Sequence, residues 1–211
     1  NFCIVDLSNF YLDVLKSRLY TEKPDAPARR SAQSAMYLIL DAMVKLLAPV
    51  LAYTSEEIWK FMPHTEDDDA VSVMLNDMPK AVAEYENDEI KAKWDKIIAV
   101  RNDVNKALEP ARNEKIIGKS LDAEVTVYAD GEIYDLLKNM EAELAEIFIT
   151  SKATVLPKAD EKDALAGDLV SVAVEASKHE KCGRCWVHSE TVGTIPGFDG
   201  ICADCVKKLT K

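Results

Sequence analysis

Histidine is scarce in this chain of 211 residues: His64, His179 and His188 lie far apart, so none marks a local catalytic pair. There is no Gly-x-Ser-x-Gly elbow, which excludes the strained nucleophile turn of α/β-hydrolases, and no paired glycines follow a strand. No apolar run approaches the roughly 18 residues of a membrane span, so no membrane partner is expected. No internal repeat is present, and no signal peptide is expected. Ile117-Gly118-Lys119-Ser120 imitates the end of a phosphate-binding P-loop, but Asn113 stands where the first glycine belongs and the preceding period is helical. Acids are plentiful without a marked general acid/base pair. No catalytic residue is assigned, and no bond chemistry is expected of this stretch.

Composition is that of an ordinary globular protein, 48% hydrophobic and 30% charged, long enough for one large or two small cores. The net charge of −11 argues against nucleic acid until its distribution is followed: residues 49–92 and 121–174 carry −8 each. The remaining segments are mildly basic, at +1 for 1–48, +3 for 93–120 and +1 for 175–211. Screening over about 8 Å lets a partner feel the local patch more than the total. The run Glu66-Asp67-Asp68-Asp69 lacks the interleaved spacing of a calcium loop and reads as a solvated loop.

Four of the five cysteines crowd into the last thirty residues, as Cys182-Gly-Arg-Cys185 and Cys202-Ala-Asp-Cys205. Two Cys-x-x-Cys pairs separated by 16 residues can converge on one tetrahedral metal. Zinc is the expected occupant, one structural ion per chain, because four thiolates close its shell and leave no position for water. Disulfides need an oxidising compartment, and a redox Cys-x-x-Cys uses one pair rather than two. A segment this short buries too little to fold by itself, so metal binding must supply the difference. His188 reads as a surface histidine beside four sufficient thiols, and Cys3 as a core residue of an apolar helix.

The pattern is mainly α: a helical bundle, then a small α/β domain, then a C-terminal zinc ribbon, with boundaries at 1–118, 119–176 and 177–211. Phe2, Val5, Leu12, Leu15 and Leu19 mark a first helix and TEKPDAPARR a connector; a second helix runs from about Ser31. Thr54 with Glu57 predicts a capping box for a short helix through Ile58, Trp59 and Phe61. A third long helix is expected through Trp94 and Leu108, ending near Pro110, with Trp59 and Trp94 as core residues. From Leu121 the period changes to two. Asp130-Gly131 then turns into a helix reaching about Leu144. Further strands are expected near 147–149, 153–156 and 169–174, with 157–167 as a mobile hairpin or loop.

NFYLDVLKSRLY and RRSAQSAMYLILDAMVKLLAPVLAYTSEEIW resemble the anticodon-binding bundle of class I aminoacyl-tRNA synthetases for isoleucine, valine and leucine. VRNDVNKALEPARNEKIIGKSLDAEVTVY, followed by KCGRCWVHSETVG and ICADC, is similar to the junction region and terminal zinc finger of the bacterial-type isoleucine enzymes. A related finger occurs in formamidopyrimidine-type DNA glycosylases, which do not need the long bundle; no DNA partner is expected. The family's His-x-Gly-His and Lys-Met-Ser-Lys-Ser signatures do not occur. The resemblance therefore implies that catalytic and editing domains, and with them ATP, lie upstream of a stretch that begins inside the bundle. It further implies a cytoplasmic, monomeric ligase that joins isoleucine to its tRNA, of which this part holds the tRNA.

RNA loops are read by stacking on aromatic or guanidinium planes while basic groups position the backbone. Candidates are Lys16, Arg18, Arg29 and Arg30 on the bundle, Arg101, Lys106, Arg112 and Lys115 on the long helix, and Arg184 and Trp186 at the ribbon. Each basic residue has the alternative of an ordinary solvated or paired helix position. Trp186 can instead cover the metal site as a lid. A structural or protein-interaction module remains the competing reading of the whole.

Overall fold

A computed structural model describes residues 1–210. A wide helical stretch, Cys3–Tyr11, leads into α1 (Leu12–Val14) and α2 (Lys16–Thr21), followed by α3 (Pro27–Leu47), α4 (Ala52–Trp59) and α5 (Asp88–Asn113). Then come β1 (Ala123–Ala129), α6 (Gly131–Asn139), α7 (Glu141–Phe148), β2 (Lys152–Pro157), β3 (Leu165–Ala166), β4 (Ser171–Ala176) and α8 (Ala203–Thr210). The chain is mainly helical with one small mixed sheet. It forms two compact units, Pro24–Asn87 and, separately, Asn1–Lys23 joined with the chain from Asp88 onward.

In the Pro24–Asn87 unit, α3 starts one turn before the expected Ser31. Pro27 sits at the first helical position, where its missing N–H costs nothing and its fixed φ suits the helix. Val44 and Ala48 pack with Trp59, Met62 and Val73 into a small core. The Thr54 capping box does not form: α4 opens at Ala52, three residues beyond Pro49, and Leu51 donates to the Leu47 carbonyl at 2.7 Å. Thr54 therefore lies inside the helix. The acidic run is only partly a solvated loop. Lys45 bridges Asp41 and Asp68 at 3.0 and 2.8 Å, and the indole N–H of Trp59 donates to the Asp69 carbonyl. Burial works against ionisation of Asp68, but Lys45 and the Thr65 N–H and hydroxyl hold its pKa at about 2.

In the other unit the sheet order is β2-β1-β4-β3. β1 pairs parallel with β2 (Val127 opposite Val155) and antiparallel with β4 (Val125 opposite Val174). Parallel pairing requires a crossover, which α6 and α7 supply. The expected strand at 147–149 is the end of α7, because Leu144, Ile147 and Phe148 recur at helical spacing and are buried together. Ile149 ends that helix in the left-handed region, at φ 58°.

The long α5 lays Ile97, Val100, Val104, Leu108 and Ala111 against the sheet, and the compact units do not divide at 118/119. It also outlasts Pro110, whose missing N–H removes one bond, while the Pro110 carbonyl accepts from Glu114 at 2.9 Å. On its inner face the Asp103 carboxylate, 1% exposed, accepts the backbone N–H groups of Asp168, Leu169 and Val170 at 2.9, 2.8 and 3.2 Å. This anchors the chain just past the segment read as a mobile hairpin or loop, whose Leu165–Ala166 end pairs antiparallel with β4.

The first helix departs most from its expected stripe. Its backbone bonds span five residues, as from Leu7 to the Phe2 carbonyl at 2.9 Å, so side chains no longer recur at the α-helical period. Leu15 is buried, but Phe2, Val5 and Cys3 are exposed, which corrects Cys3 as a core residue. Phe10 meets Trp94 edge-on, with ring centroids 6.0 Å apart.

Candidate metal centre and nucleic-acid interface

The ribbon is built from two tight knuckles. In the first, Cys182 donates to the Val187 carbonyl at 2.9 Å and Trp186 donates back to Cys182 at 3.0 Å, with Trp186 at φ 67°. Gly183 donates to the Gly200 carbonyl at 2.8 Å, tying it to the second knuckle, where a Cβ would stand 3.3 Å from that oxygen. The second knuckle leads into α8, whose first turn carries Cys205.

The four sulfurs of Cys182, Cys185, Cys202 and Cys205 lie within 4.8 Å of one another. Cys182 is 3.7 Å from Cys205, and Cys185 is 3.8 Å from Cys202. Four ligands about 2.3 Å from a tetrahedral centre would be about 3.8 Å apart, so donor type and spacing both fit a zinc ion. Both distances far exceed a disulfide bond, and all the cysteines are free thiols. Burial opposes ionisation of Cys182, yet the N–H groups of Cys185, Cys202 and Arg184 bring its pKa down to about 6. Burial and the neighbouring sulfurs push Cys185 upward.

His188 is not a surface histidine. Its N–H donates to the Ser151 hydroxyl at 2.7 Å, Nδ1 lies 2.8 Å from the His179 carbonyl, and Nε2 lies 3.4 Å from Asp122. It straps the ribbon to the start of β1. At the opposite end Lys208 pairs with Glu22 at 2.6 Å.

Between these straps α1, α2, the end of α7, residues 119–121 and the first knuckle enclose a cleft of 710 Å³. Lys16, Arg184 and Trp186 line it, together with Tyr20 and Lys119, which sequence reasoning missed. Tyr20 is 76% exposed and Trp186 58% exposed, so both rings are open to a partner. The exposure of Trp186 does not suit a lid. Lys119 had a visible signal, since it belongs to the discarded P-loop imitation. That rejection agrees with the geometry: the Gly118 and Lys119 N–H groups both donate to Asp122, leaving neither for a phosphate.

The remaining basic candidates are dispersed. Arg18 pairs with Glu146 on the cleft wall at 3.2 Å. Arg29 and Arg30 lie in the first turn of α3, in the other compact unit. Arg101 donates to the Ile147 carbonyl at 3.0 Å beneath the Phe10 ring, and burial lowers its pKa. Lys106 binds Asp168 at 2.6 Å, and Arg112 joins Glu109 and the Ser120 hydroxyl at 3.0 and 2.6 Å. Lys115 is exposed, with φ 59°, where α5 ends.

Residues 1–127 match the anticodon-binding domain of tRNA ligase. The chain belongs to that family. The chain is 46% identical to the isoleucine–tRNA ligase of Caldanaerobacter subterraneus subsp. tengcongensis, and 44% and 43% identical to those of Halalkalibacterium halodurans and Shewanella pealeana. Each comparison covers 99% of this chain but only 22–23% of the relative, so the chain spans under a quarter of those ligases. The anticodon-binding domain match ends inside β1, whereas the similarity to the ligases continues through the ribbon. Among the described residues no helix is long and apolar enough to cross a membrane.

Proposed function

We propose that this chain is the tRNA-holding C-terminal part of an isoleucine–tRNA ligase, a cytoplasmic enzyme whose ATP-dependent chemistry belongs to regions outside it. The observation that carries the reading is the cleft: Lys16, Lys119 and Arg184 meet Tyr20 and Trp186 on one wall-to-wall surface in an anticodon-binding family member. The aromatic rings offer stacking faces to unpaired bases, and the cations neutralise phosphates. Cys182, Cys185, Cys202 and Cys205 would hold one zinc ion, which supplies a closed cross-link between the knuckles and no open coordination position. The sheet and the two straps then hold the knuckle against α1 and α2.

Fluorescence titration of the whole chain with isoleucine tRNA tests this. Three phosphate contacts predict a log–log salt slope of about −2 for single-stranded sites. Replacing Trp186 by Ala should weaken binding about 5- to 100-fold by loss of stacking, with little change in melting temperature because the ring is exposed. Equal affinity for an unrelated tRNA and for duplex DNA, unaltered by Trp186→Ala, would sink the proposal. The internal partners of Arg101, Lys106 and Arg112 favour a second, structural role for those three residues. Their charge-neutral replacement should lower stability before it lowers RNA affinity.

A further inference from the structure

Asp122 does not line the cleft, yet it touches the segments that carry its lining residues. Its Oδ2 accepts the N–H groups of Gly118 and Lys119 at 3.1 and 2.7 Å, and its own N–H donates to the Lys119 carbonyl at 3.0 Å. Side chain and backbone of Asp122 thus close the turn that carries Lys119. Its Oδ1 stands 3.4 Å from His188 Nε2, a buried ring nitrogen with no hydrogen-bond partner of its own. Its carbonyl accepts the Ser177 N–H at 2.8 Å, in the linker that leads to the ribbon.

Neighbouring bonds brace the same junction. The hydroxyl of Ser151, a lining residue, accepts the His188 N–H at 2.7 Å and donates in turn to the Leu121 carbonyl. The Ser151 N–H donates to the Ala123 carbonyl at 2.9 Å. The residues on either side of Asp122 therefore hold the strap, and His188 lies only two residues beyond Trp186. By charge alone, an acid just behind an RNA-binding wall weakens binding, since it repels phosphate. The contacts point the other way, because moving this carboxylate displaces a cation and an aromatic ring of the same surface.

We propose that Asp122 is a positioning residue of the RNA cleft, whose carboxylate sets the turn that presents Lys119 and steadies the His188 strap that seats Trp186. This rests on the RNA-binding reading above and adds to it an acid that acts only through the cation and the ring. Charge and position predict opposite signs for its removal, and two neutral replacements separate them.

The test titrates the whole chain with isoleucine tRNA at several salt concentrations. Asp122→Ala loses both side-chain oxygens, whereas Asp122→Asn keeps one oxygen for the turn and an amide N–H for His188 Nε2. Both remove the same charge. Losing the Lys119 contact costs about fourfold in affinity at about 0.15 M salt and flattens the log–log slope by about 0.7, so Asp122→Ala should weaken binding at least that much. Asp122→Asn should recover most of the loss. In a Lys119→Ala background, Asp122→Ala should leave the slope unchanged, because the contact it acts through is already gone. Amide exchange in Asp122→Ala should quicken at Lys119 and His188 and stay slow along β1 and β4. If wild type prefers isoleucine tRNA but both variants bind as wild type or more tightly, with the slope unmoved, the inference about Asp122 is overturned while the RNA reading stands. Loss of protection along β1 and β4 in Asp122→Ala would make the residue a support of the sheet and overturn it as well. A wild type with no preference for isoleucine tRNA would overturn both.

Discussion

Replacing Asp103 by Asn is nearly isosteric, yet it should be among the most damaging single changes available in the α5–sheet unit. The carboxylate takes one N–H on Oδ1 and two on Oδ2, from Asp168, Leu169 and Val170, and its side chain is 1% exposed. Asn can keep two of these bonds through its oxygen, but its amide then turns N–H groups toward the third donor, and every remaining bond loses its charge assistance. Hydrogen bonds to charged groups contribute about 1.5–3 kcal/mol each, so a net loss of about 2–4 kcal/mol is expected. At roughly 2–4 °C per kcal/mol for a chain of this length, the melting transition should fall by about 5–15 °C.

Acid supplies the control. Burial opposes ionisation of Asp103, but the three N–H groups and Lys106 hold its pKa below the ordinary 3.8. A depressed carboxylate contributes its full stability above the unfolded pKa and loses it as pH falls through the native value. The gap between wild type and Asp103→Asn should therefore be widest near neutrality and close progressively below about pH 4. Gly167→Ala strikes the same latch from the other side, because its Cβ would lie 2.3 Å from the Asp103 Cγ and force the turn away. Calorimetry and circular dichroism between pH 3 and 7 measure all three proteins. An Asn variant melting within 1 °C of wild type at pH 7, or a gap indifferent to acid, would refute the account of the latch.

Lys45→Met should destabilise the Pro24–Asn87 unit by about 3–5 kcal/mol, because Asp68, 8% exposed, loses the partner that holds its pKa at about 2. That penalty should fade between about pH 4 and pH 2 as Asp68 is protonated, which urea titration at several pH values checks. Removing zinc with a chelator should abolish amide-exchange protection across Cys182–Cys205, where the ribbon's small core is little more than the cysteines with Val192 and Ile201. The β1–β4 ladder, which has its own core with α5 and α7, should keep its protection; simultaneous loss of both would contradict the separation.

Much of the local structure could be read along the chain. The alternation through Ala123, Val125 and Val127 marked β1, and the stripe around Ile97, Val104 and Leu108 marked α5. Misreadings arose where one local signal had two physical meanings. Ile147-Phe148-Ile149 is apolar, with two β-branched residues and an aromatic like a strand, but its contacts recur at helical spacing through Leu144. Pro110 has the look of a terminator, yet a proline near a helix end removes only one backbone bond. The opening stripe failed because a change to five-residue bonding rotates every side chain, a change that composition does not announce.

The convergence of the four sulfurs was within the reach of sequence alone, since the four cysteines lie inside 24 residues and short-range spacing determines how two knuckles can meet. Family membership was legible for the same reason, through contiguous stretches. Which helix covers the sheet and which cations face outward were decided by tertiary structure, through contacts such as Asp103 to Leu169 and Arg101 to Ile147. The cleft is the clearest case: Lys16, Lys119 and Arg184 are separated by scores of residues and share no local pattern. They converge because the crossover sets α7 beside β2 and the His188 and Lys208 straps seat the ribbon on α2. Burial of distant apolar faces and pairing of distant charges depend on where the chain returns, and no local period encodes that.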